Sequence, residues 1–373
     1  MTRKKVIAKP LVGIAHTMKS KTAFRNAFAR YGGALALDQS FHSSVQFGLR
    51  GLLTIFRGYI KKGHRSERPG LPYGNIYLDY VDNAGFNAIA TIYQGKELIG
   101  IFPGAILQIT RFFQAFMSDP TVFPGIGNAK MEKFDPKTID ELRQPSLPLN
   151  RSPQYPNDPL RQTIAKRLTF LGCATLFYHE VGHLALCHLP FLRDTFGISM
   201  YEEFPAVALS KKETGIRRTL ELGADVVALQ NSLVTWTKMC SGKKFSELHS
   251  IDLVSMWGAT MAMFFKIMDA IAKDQNIDTK LSTHPSPLNR LFHAIFIAGY
   301  EQKPIGLSLD RQRLKAGILE VARWWRRNKL PTTNDESRRE RVREFSIYRN
   351  KHNRIYDRLV EYQIQRAQAI NSG

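Results

Sequence analysis

The spacing of apolar residues along the chain predicts a mainly helical protein with one short region of strands. In residues 40–62 the apolar side chains recur every three to four positions, which is the period of an amphipathic helix. Asp158 followed by Pro159 is typical of a helix start, and Pro190 is expected to stop that helix at about residue 188. Further helices are predicted at 104–117, 210–239, 253–273, 288–299, 306–329 and from 333 towards the C-terminus.

Between the helices predicted at 40–62 and 104–117 the pattern changes to that of strands. Residues 75–81, 87–93 and 97–102 are short, rich in Ile and Tyr, and separated by turn residues. The fold class expected is therefore mainly α with a small antiparallel β-sheet (α+β). Residues 118–156 contain seven prolines and are expected to form a long surface connection.

Charge is concentrated at the two ends of the chain. The formal net charge is +21; residues 1–66 carry 13 Lys or Arg and one acid, and residues 311–373 carry 16 Lys or Arg and seven acids. The middle is therefore neutral, which argues against nucleic-acid binding by the whole chain. We divide the chain into a basic helical N-terminal extension (1–66), a central domain (67–300) and a basic helical C-terminal region (301–373). The basic ends are interpreted as solvated surfaces, as contacts to nucleic acid or an anionic membrane, or as steering for an acidic substrate.

The cysteine count and the N-terminus bear on localisation. Three cysteines are too few for a disulfide framework and suit a reducing compartment. The first 25 residues lack the apolar core of a secretory signal. The two most apolar stretches, 168–192 and 251–272, contain too many polar and charged residues for membrane spans, so we interpret both as buried helices. We expect a cytoplasmic protein, with peripheral membrane association or organelle import through the basic N-terminus as alternatives. The sequence supports no firm prediction of oligomeric state.

The clearest chemical signal is His179-Glu180-Val181-Gly182-His183. Side chains four residues apart project from one face of a helix, so the two imidazoles can bind one metal ion. Glu180 projects from a neighbouring direction and suits the role of general base, as in the H-E-x-x-H arrangement of zinc hydrolases. The alternative is a helix with two histidines satisfied in the core.

A second predicted helix supplies the missing third ligand. It contains Glu221-Leu222-Gly223-Ala224-Asp225, with two acids four residues apart. Glu221 would complete a His₂Glu zinc site, and Asp225 could accept the second ring N–H of a ligand histidine. The small Gly223 and Ala224 would let the two helices approach closely. The alternative is an acidic pair on a solvated helix surface.

Four other residues carry weaker signals. His284, which precedes a proline, could donate to the oxyanion of a tetrahedral intermediate, and Arg290 could pair with an acid near the metal or stabilise charge. Cys187 lies one turn after His183, but we interpret it as a buried structural cysteine. His188 is nine residues after His179, so on a continuous helix it would face away from the site.

These motifs, in this order, resemble the gluzincin metallopeptidases of the CAAX prenyl protease and heat-shock membrane protease type. The resemblance covers about residues 75–295, and residues 86–88 look like the start of that family's substrate-lining edge strand. It implies that His179, His183 and Glu221 bind zinc, that Glu180 activates water, that Asp225 supports a ligand, and that His284 and Arg290 assist the transition state. Those relatives are integral membrane proteins, whereas a soluble peptidase of the phage-exclusion (Lit) type is similar in general plan.

The function expected is zinc-dependent hydrolysis of a protein or peptide substrate, with one Zn²⁺ per chain. The substrate would bind as an added β-strand along Ile99, Gly100 and Ile101. The alternative is a non-catalytic or single-target regulatory zinc scaffold whose basic ends bind nucleic acid or an anionic membrane surface.

Overall fold

The structure is a computed structural model, and it describes residues 20–37, 43–64, 76–143, 155–198, 200–202, 211–240, 252–274, 289–291, 310–331, 355, 357–366 and 368. Its helices are α1 (20–27), α2 (Ser43–His64), α3 (Pro103–Ser118), α4 (Pro136–Leu142), α5 (Pro159–Ala185), α6 (His188–Phe196), α7 (Lys211–Cys240), α8 (Leu253–Asp274) and α9 (Arg311–Arg327), and residues 357–366 are also helical. Its strands are β1 (Tyr77–Tyr80), β2 (Ala88–Tyr93), β3 (Lys96–Ile101) and β4 (Met200–Glu202). The prediction of a mainly helical chain with one small sheet is confirmed.

The sheet is mixed rather than antiparallel, with strand order β1-β3-β2-β4. β2 and β3 form an antiparallel hairpin, and β4 pairs antiparallel with the other side of β2. After β1 the chain enters β2, which is not the neighbour of β1. The next strand, β3, then returns between β2 and β1 and runs parallel to β1. The expected antiparallel sheet is thus corrected, and β4 is a strand that the sequence pattern did not indicate.

Helix α5 is the central element of the fold. It begins as predicted, with the Asp158 side chain accepting the N–H of Arg161 at 2.9 Å and Pro159 in the first turn. It packs against α3, α7, β2 and β3. Residues 171–185 are all buried, so the conspicuous HEVGH sequence lies in the protein interior.

The proline-rich connection before α5 is anchored by one buried arginine. The Arg161 guanidinium donates to the carbonyl oxygens of Met117 and Asp119, both at 2.8 Å, and to three more carbonyls between residues 122 and 126. It also lies 3.5 Å from Glu132, so its charge is compensated. Part of the expected surface connection is therefore fixed to the core, and it contains the short helix α4.

Helix α9 packs its two tryptophans against the core. Trp325 stacks on Phe112 with ring centroids 5.3 Å apart, and Trp324 contacts Phe116 edge-on at 5.4 Å. Gly317 lets α9 approach α8, because a Cβ at this position would lie 1.8 Å from the Ser255 carbonyl oxygen. Helix α2 also buries its apolar side in the main core.

In the described part of the chain, one helix, α8, has the length and apolar composition needed to cross a membrane. Its most apolar window is 89% buried inside the protein. This agrees with the prediction that the stretch 251–272 is a buried helix.

Candidate metal centre

The two motif histidines converge through their Nε2 atoms. His179 and His183 lie on adjacent turns of α5, and their Nε2 atoms are 3.0 Å apart. Their rings are nearly perpendicular, at 78°, with centroids 4.7 Å apart. Both residues are at most 1% exposed. The i, i+4 spacing therefore brings both nitrogens to one point, as the helix geometry requires.

Helix α7 contributes the third group, Glu221. Its Oε2 lies 3.3 Å from His179 Nε2, and its Oε1 lies 3.4 Å from His183 Nε2. The approach of the two helices depends on small residues, because a Cβ at Gly182 would be 3.0 Å from the Cα of Ala224. In the described residues these three side chains form a buried group that could hold a metal ion.

The spacing of these atoms fits a tetrahedral site. Zinc bound at about 2.0–2.1 Å from each ligand places neighbouring ligand atoms about 3.3 Å apart. The two Nε2 atoms are 3.0 Å apart, and each has a different carboxylate oxygen of Glu221 close to that value, Oε2 at 3.3 Å from His179 and Oε1 at 3.4 Å from His183. Two imidazole nitrogens and one carboxylate oxygen are also the donor set of His₂Glu catalytic zinc sites. The residues present therefore fit a zinc ion.

Asp225 sets the tautomer of His179. Its Oδ1 lies 3.0 Å from His179 Nδ1, where it can accept the ring N–H and leave the Nε2 lone pair facing His183 and Glu221. Burial raises the pKa of Asp225, but the charge and hydrogen bonds of Arg290 and the hydrogen bond from His179 outweigh this, so the pKa lies below its ordinary value. Asp225 is therefore an ionised acceptor in the protein interior.

Arg290 supports Asp225 from the other side. Its Nε donates to Asp225 Oδ2 at 2.8 Å and its Nη2 to Oδ1 at 2.7 Å, a two-point contact. The guanidinium also lies over the Phe265 ring at 5.4 Å, and its Nη2 is 3.6 Å from Glu221 Oε2. Of the two roles expected for Arg290, the structure places it in the pairing with an acid near the metal group.

His188 lies against the centre, which corrects the expectation that it faces away. Helix α5 ends at Ala185, Cys187 adopts a left-handed conformation (φ 59°), and α6 begins at His188. This turn brings His188 Nδ1 to 3.0 Å from His183 Nδ1. Pro190, expected to stop the first helix, lies instead in the first turn of α6, where its missing N–H removes no helical hydrogen bond.

Three further predicted residues are Glu180, His284 and Cys187. Glu180 is buried on α5, at 1% exposure, and its role as general base stays a prediction. His284 lies outside the described residues. The cysteine expected to be structural, Cys187, is fully buried, and burial raises the pKa of its thiol to about 11, which disfavours a metal-binding thiolate.

The expected substrate strand is not a sheet edge. Ile99, Gly100 and Ile101 belong to β3, which pairs with β1 on one side and β2 on the other. The backbone of β3 therefore has no free side for a peptide, and a Cβ at Gly100 would lie 2.6 Å from Val81. The expectation of an added strand at these three residues is corrected, because the connection that reverses the order of β2 and β3 places β3 inside the sheet.

Two features were not predicted from the sequence: the position of His188 and the strand β4. His188 and β4 follow the break at Cys187, a non-glycine residue in a conformation that sequence patterns rarely indicate. The sequence did contain one signal, the short spacing between His183 and His188. Within ten positions it holds His179, Glu180 and His183 of the motif and, after them, Cys187 and His188. Treated as one continuous helix, that spacing pointed His188 in the wrong direction.

Comparison of the chain with protein families, with curated proteins and with solved structures finds no match in any of the three.

Proposed function

We propose that this protein is a zinc-dependent endopeptidase whose metal ion is held by His179, His183 and Glu221. The observation that carries the proposal is the convergence of the two Nε2 atoms and the Glu221 carboxylate within 3.4 Å of one another. In the described part of the chain the group has three members, which leaves a fourth position for water, as in catalytic rather than structural zinc sites. When bound, zinc supplies Lewis-acid polarisation of a carbonyl and makes water more acidic.

The protein's own residues would have distinct parts in hydrolysis. Glu180 accepts the proton of the attacking water on its carboxylate and delivers it to the leaving amine. Asp225 holds the proton on His179 Nδ1, and Arg290 keeps Asp225 ionised. His188 occupies the equivalent position behind His183. The two ligand imidazoles are thus held in fixed orientations, which favours one coordination geometry.

The peptide would pair with β4 rather than β3. In the described part of the sheet, β4 has a neighbour on one side only, where Tyr201 pairs with Ala90 of β2. Its other side can offer backbone donors and acceptors to an extended peptide. β4 also follows directly after α6, whose first residue, His188, contacts the centre.

The burial of the centre favours a second candidate function, in which the metal serves stability alone. His179, Glu180, His183, Glu221 and Asp225 are each at most 1% exposed, so a peptide reaches them only after surrounding elements open. A metal that serves stability alone needs no such opening. Under this second candidate function, the protein is a non-catalytic zinc scaffold.

One experiment separates the two functions. Zinc-loaded wild-type protein and the E180Q variant are incubated with casein and with a cell proteome, and new peptide N-termini are counted. The endopeptidase proposal predicts cleavage by the wild type alone, with equal zinc content in both proteins. A proteome is needed because a peptidase with a single target would leave casein intact. Equal cleavage by both proteins, or none in any target proteome, removes the catalytic assignment and favours the scaffold.

The basic surface of α2 supports the proposal of an anionic membrane partner. Residues 43–64 contain four Lys or Arg and no acid, and the same helix exposes Phe47 (82%) and Ile55 (42%). Exposed apolar side chains beside basic ones suit a lipid surface better than a phosphate backbone. Sedimentation with anionic vesicles should weaken in F47S but not in L319S, which removes an exposed leucine (43%) from basic helix α9. Equal binding by both variants excludes α2 as the attachment surface.

A further inference from the structure

Helix α10 (357–366) is joined to the sheet by an ion pair that the proposed chemistry does not use. Arg366 Nε donates to Glu97 Oε1 at 2.7 Å, and its Nη2 donates to Oε2 at 2.9 Å. The two side chains are only 12% and 17% exposed, so the pair is screened weakly by solvent. A two-point contact of this kind fixes both the distance and the orientation of its members. It therefore holds α10 at the start of β3, where Glu97 is the second residue.

The same helix also contacts α6. The Tyr362 hydroxyl donates to Asp194 Oδ2 at 2.6 Å. The Arg358 guanidinium lies 4.9 Å from the centre of the Phe191 ring. Leu359, on the same helix, is 3% exposed and belongs to the main core. Helix α10 therefore connects α6 with β3.

The turn at Cys187 lies beside the Arg366–Glu97 pair. Burial raises the pKa of the Cys187 thiol to about 11, while the charge of Arg366 lowers it and that of Glu97 raises it further. Both charged side chains therefore lie near the turn where α5 ends and α6 begins. Cys187 has a φ of 59°, a left-handed conformation that a non-glycine residue keeps only when its surroundings hold it. The ion pair is part of those surroundings.

His188, which directly follows this turn, is enclosed by two helices. Its Nδ1 lies 3.0 Å from His183 Nδ1 on α5. It also faces α7, because a Cβ at Gly223 would lie 3.5 Å from His188 Cε1 and Nε2. The residue is 1% exposed. Since the ring has little free space, a shift of the backbone at the turn would change the separation of the two Nδ1 atoms.

We propose that Arg366 is a positioning residue for the metal centre. Its contact with Glu97 holds α10 against α6 and the Cys187 turn, and the turn keeps His188 Nδ1 within hydrogen-bonding distance of His183 Nδ1. This hydrogen bond orients the His183 ring, whose Nε2 belongs to the proposed zinc site. The effect on zinc rests on the proposed function, whereas the effect on the contact between the two histidines does not.

The first measurement uses the metal-free, full-length protein labelled with ¹⁵N-histidine. The proton between the Nδ1 atoms of His183 and His188 gives an imidazole N–H signal in NMR spectra, which is assigned by its loss in H188F. R366M removes the guanidinium that holds α10 to β3. The imidazole proton should then exchange with water about 10-fold faster than in the wild type, because the local structure opens more often.

R327M is the matched control. Arg327, the last residue of α9, donates to Asp119 Oδ2 at 2.7 Å, so this variant also loses an ion pair, but one that joins α9 to the segment after α3. It should leave the exchange rate unchanged. E97Q should raise the rate as R366M does, and E97Q/R366M should raise it no further, because both substitutions break one contact. An unchanged rate in R366M, or an equal rise in R327M, overturns the proposal.

Competition with a chelating dye measures the consequence for zinc. R366M should weaken zinc binding about 10-fold, since loss of the partner behind a ligand histidine lowers metal affinity by about 10–100-fold. It should have no further effect in H188F, which already lacks that partner. Equal weakening in both backgrounds shows a general loss of stability and contradicts the proposal. A protein that binds no zinc but keeps the difference in proton exchange disproves the metal centre, and the positioning role of Arg366 stands.

Discussion

The Nδ1 atoms of His183 and His188 lie 3.0 Å apart, so one imidazole stands directly behind another. At this distance one of the two nitrogens carries a proton and the other accepts it. If His183 donates, its Nε2 lone pair is free to face His179 and Glu221. The two histidines of the centre thus have different supports: a carboxylate behind His179 and a second imidazole behind His183.

Replacing His188 should weaken metal binding without removing it. H188F keeps a ring at this position but cannot accept a hydrogen bond from His183 Nδ1. Loss of such a partner commonly lowers metal affinity 10–100-fold. H188N, whose amide oxygen can accept a proton, should lose less. Competition with a chelating dye measures both affinities. Equal affinity in H188F and the wild type would show that the contact has no part in binding.

The two glutamates of the site should separate metal binding from catalysis. E180Q is expected to retain one zinc per chain and to lose at least 100-fold in hydrolysis, since general-base catalysis contributes about 10²–10⁴-fold. E221Q should lose zinc together with hydrolysis, because a neutral amide is a poor ligand. Elemental analysis and the peptide N-terminus assay are run on the same preparations. Loss of zinc in E180Q would assign Glu180 to the coordination shell instead.

Removing one member of the Asp225–Arg290 pair should strongly destabilise the protein. Arg290 is 1% exposed, so D225N leaves a buried guanidinium without its carboxylate, at a cost of about 3–5 kcal/mol. The double variant D225N/R290M should recover part of this loss, because the guanidinium that lost its two-point partner is then also removed. Chemical denaturation of the metal-free proteins gives both values. Additive losses would indicate that the two side chains do not interact.

Asp158 should make stability depend on acid pH. Burial raises its pKa, but backbone N–H donors from Arg161, Asn128 and Leu160 outweigh this and lower it below the ordinary value of 3.8. Its contribution is therefore fully present above about pH 4 and is lost as the pH falls through the lower native pKa. D158A should be about 1–2 kcal/mol less stable at pH 7, and the difference should shrink at acid pH. A pH-independent difference in urea denaturation would contradict this assignment.

The sequence predicted those features that depend on local periodicity. Asp158 and Pro159 marked the start of α5, and the four-residue spacing of His179 and His183 placed both on one face. The helix with Glu221 was predicted, but its contact with α5 was a hypothesis that depended on small residues. The structure brings Gly182 and Ala224 together at the crossing, which makes that approach possible.

Other features could not be predicted because they arise from long-range packing. The position of β1 beside β3 depends on the path of a seven-residue connection, 81–87, and not on the strand residues themselves. The left-handed turn at Cys187 has no glycine or asparagine to indicate it, and it alone redirects His188. The role of Arg290 was open because only the fold shows which of several acids it meets.

The central claim is that His179, His183 and Glu221 bind one zinc ion. X-ray absorption spectroscopy at the zinc edge, on protein purified with zinc and dialysed to remove loose metal, tests it most directly. The account predicts one zinc per chain with two imidazoles and oxygen ligands at about 2.0–2.2 Å, and no bound zinc in E221Q. Wild-type protein without zinc, or an E221Q spectrum identical to that of the wild type, would contradict it.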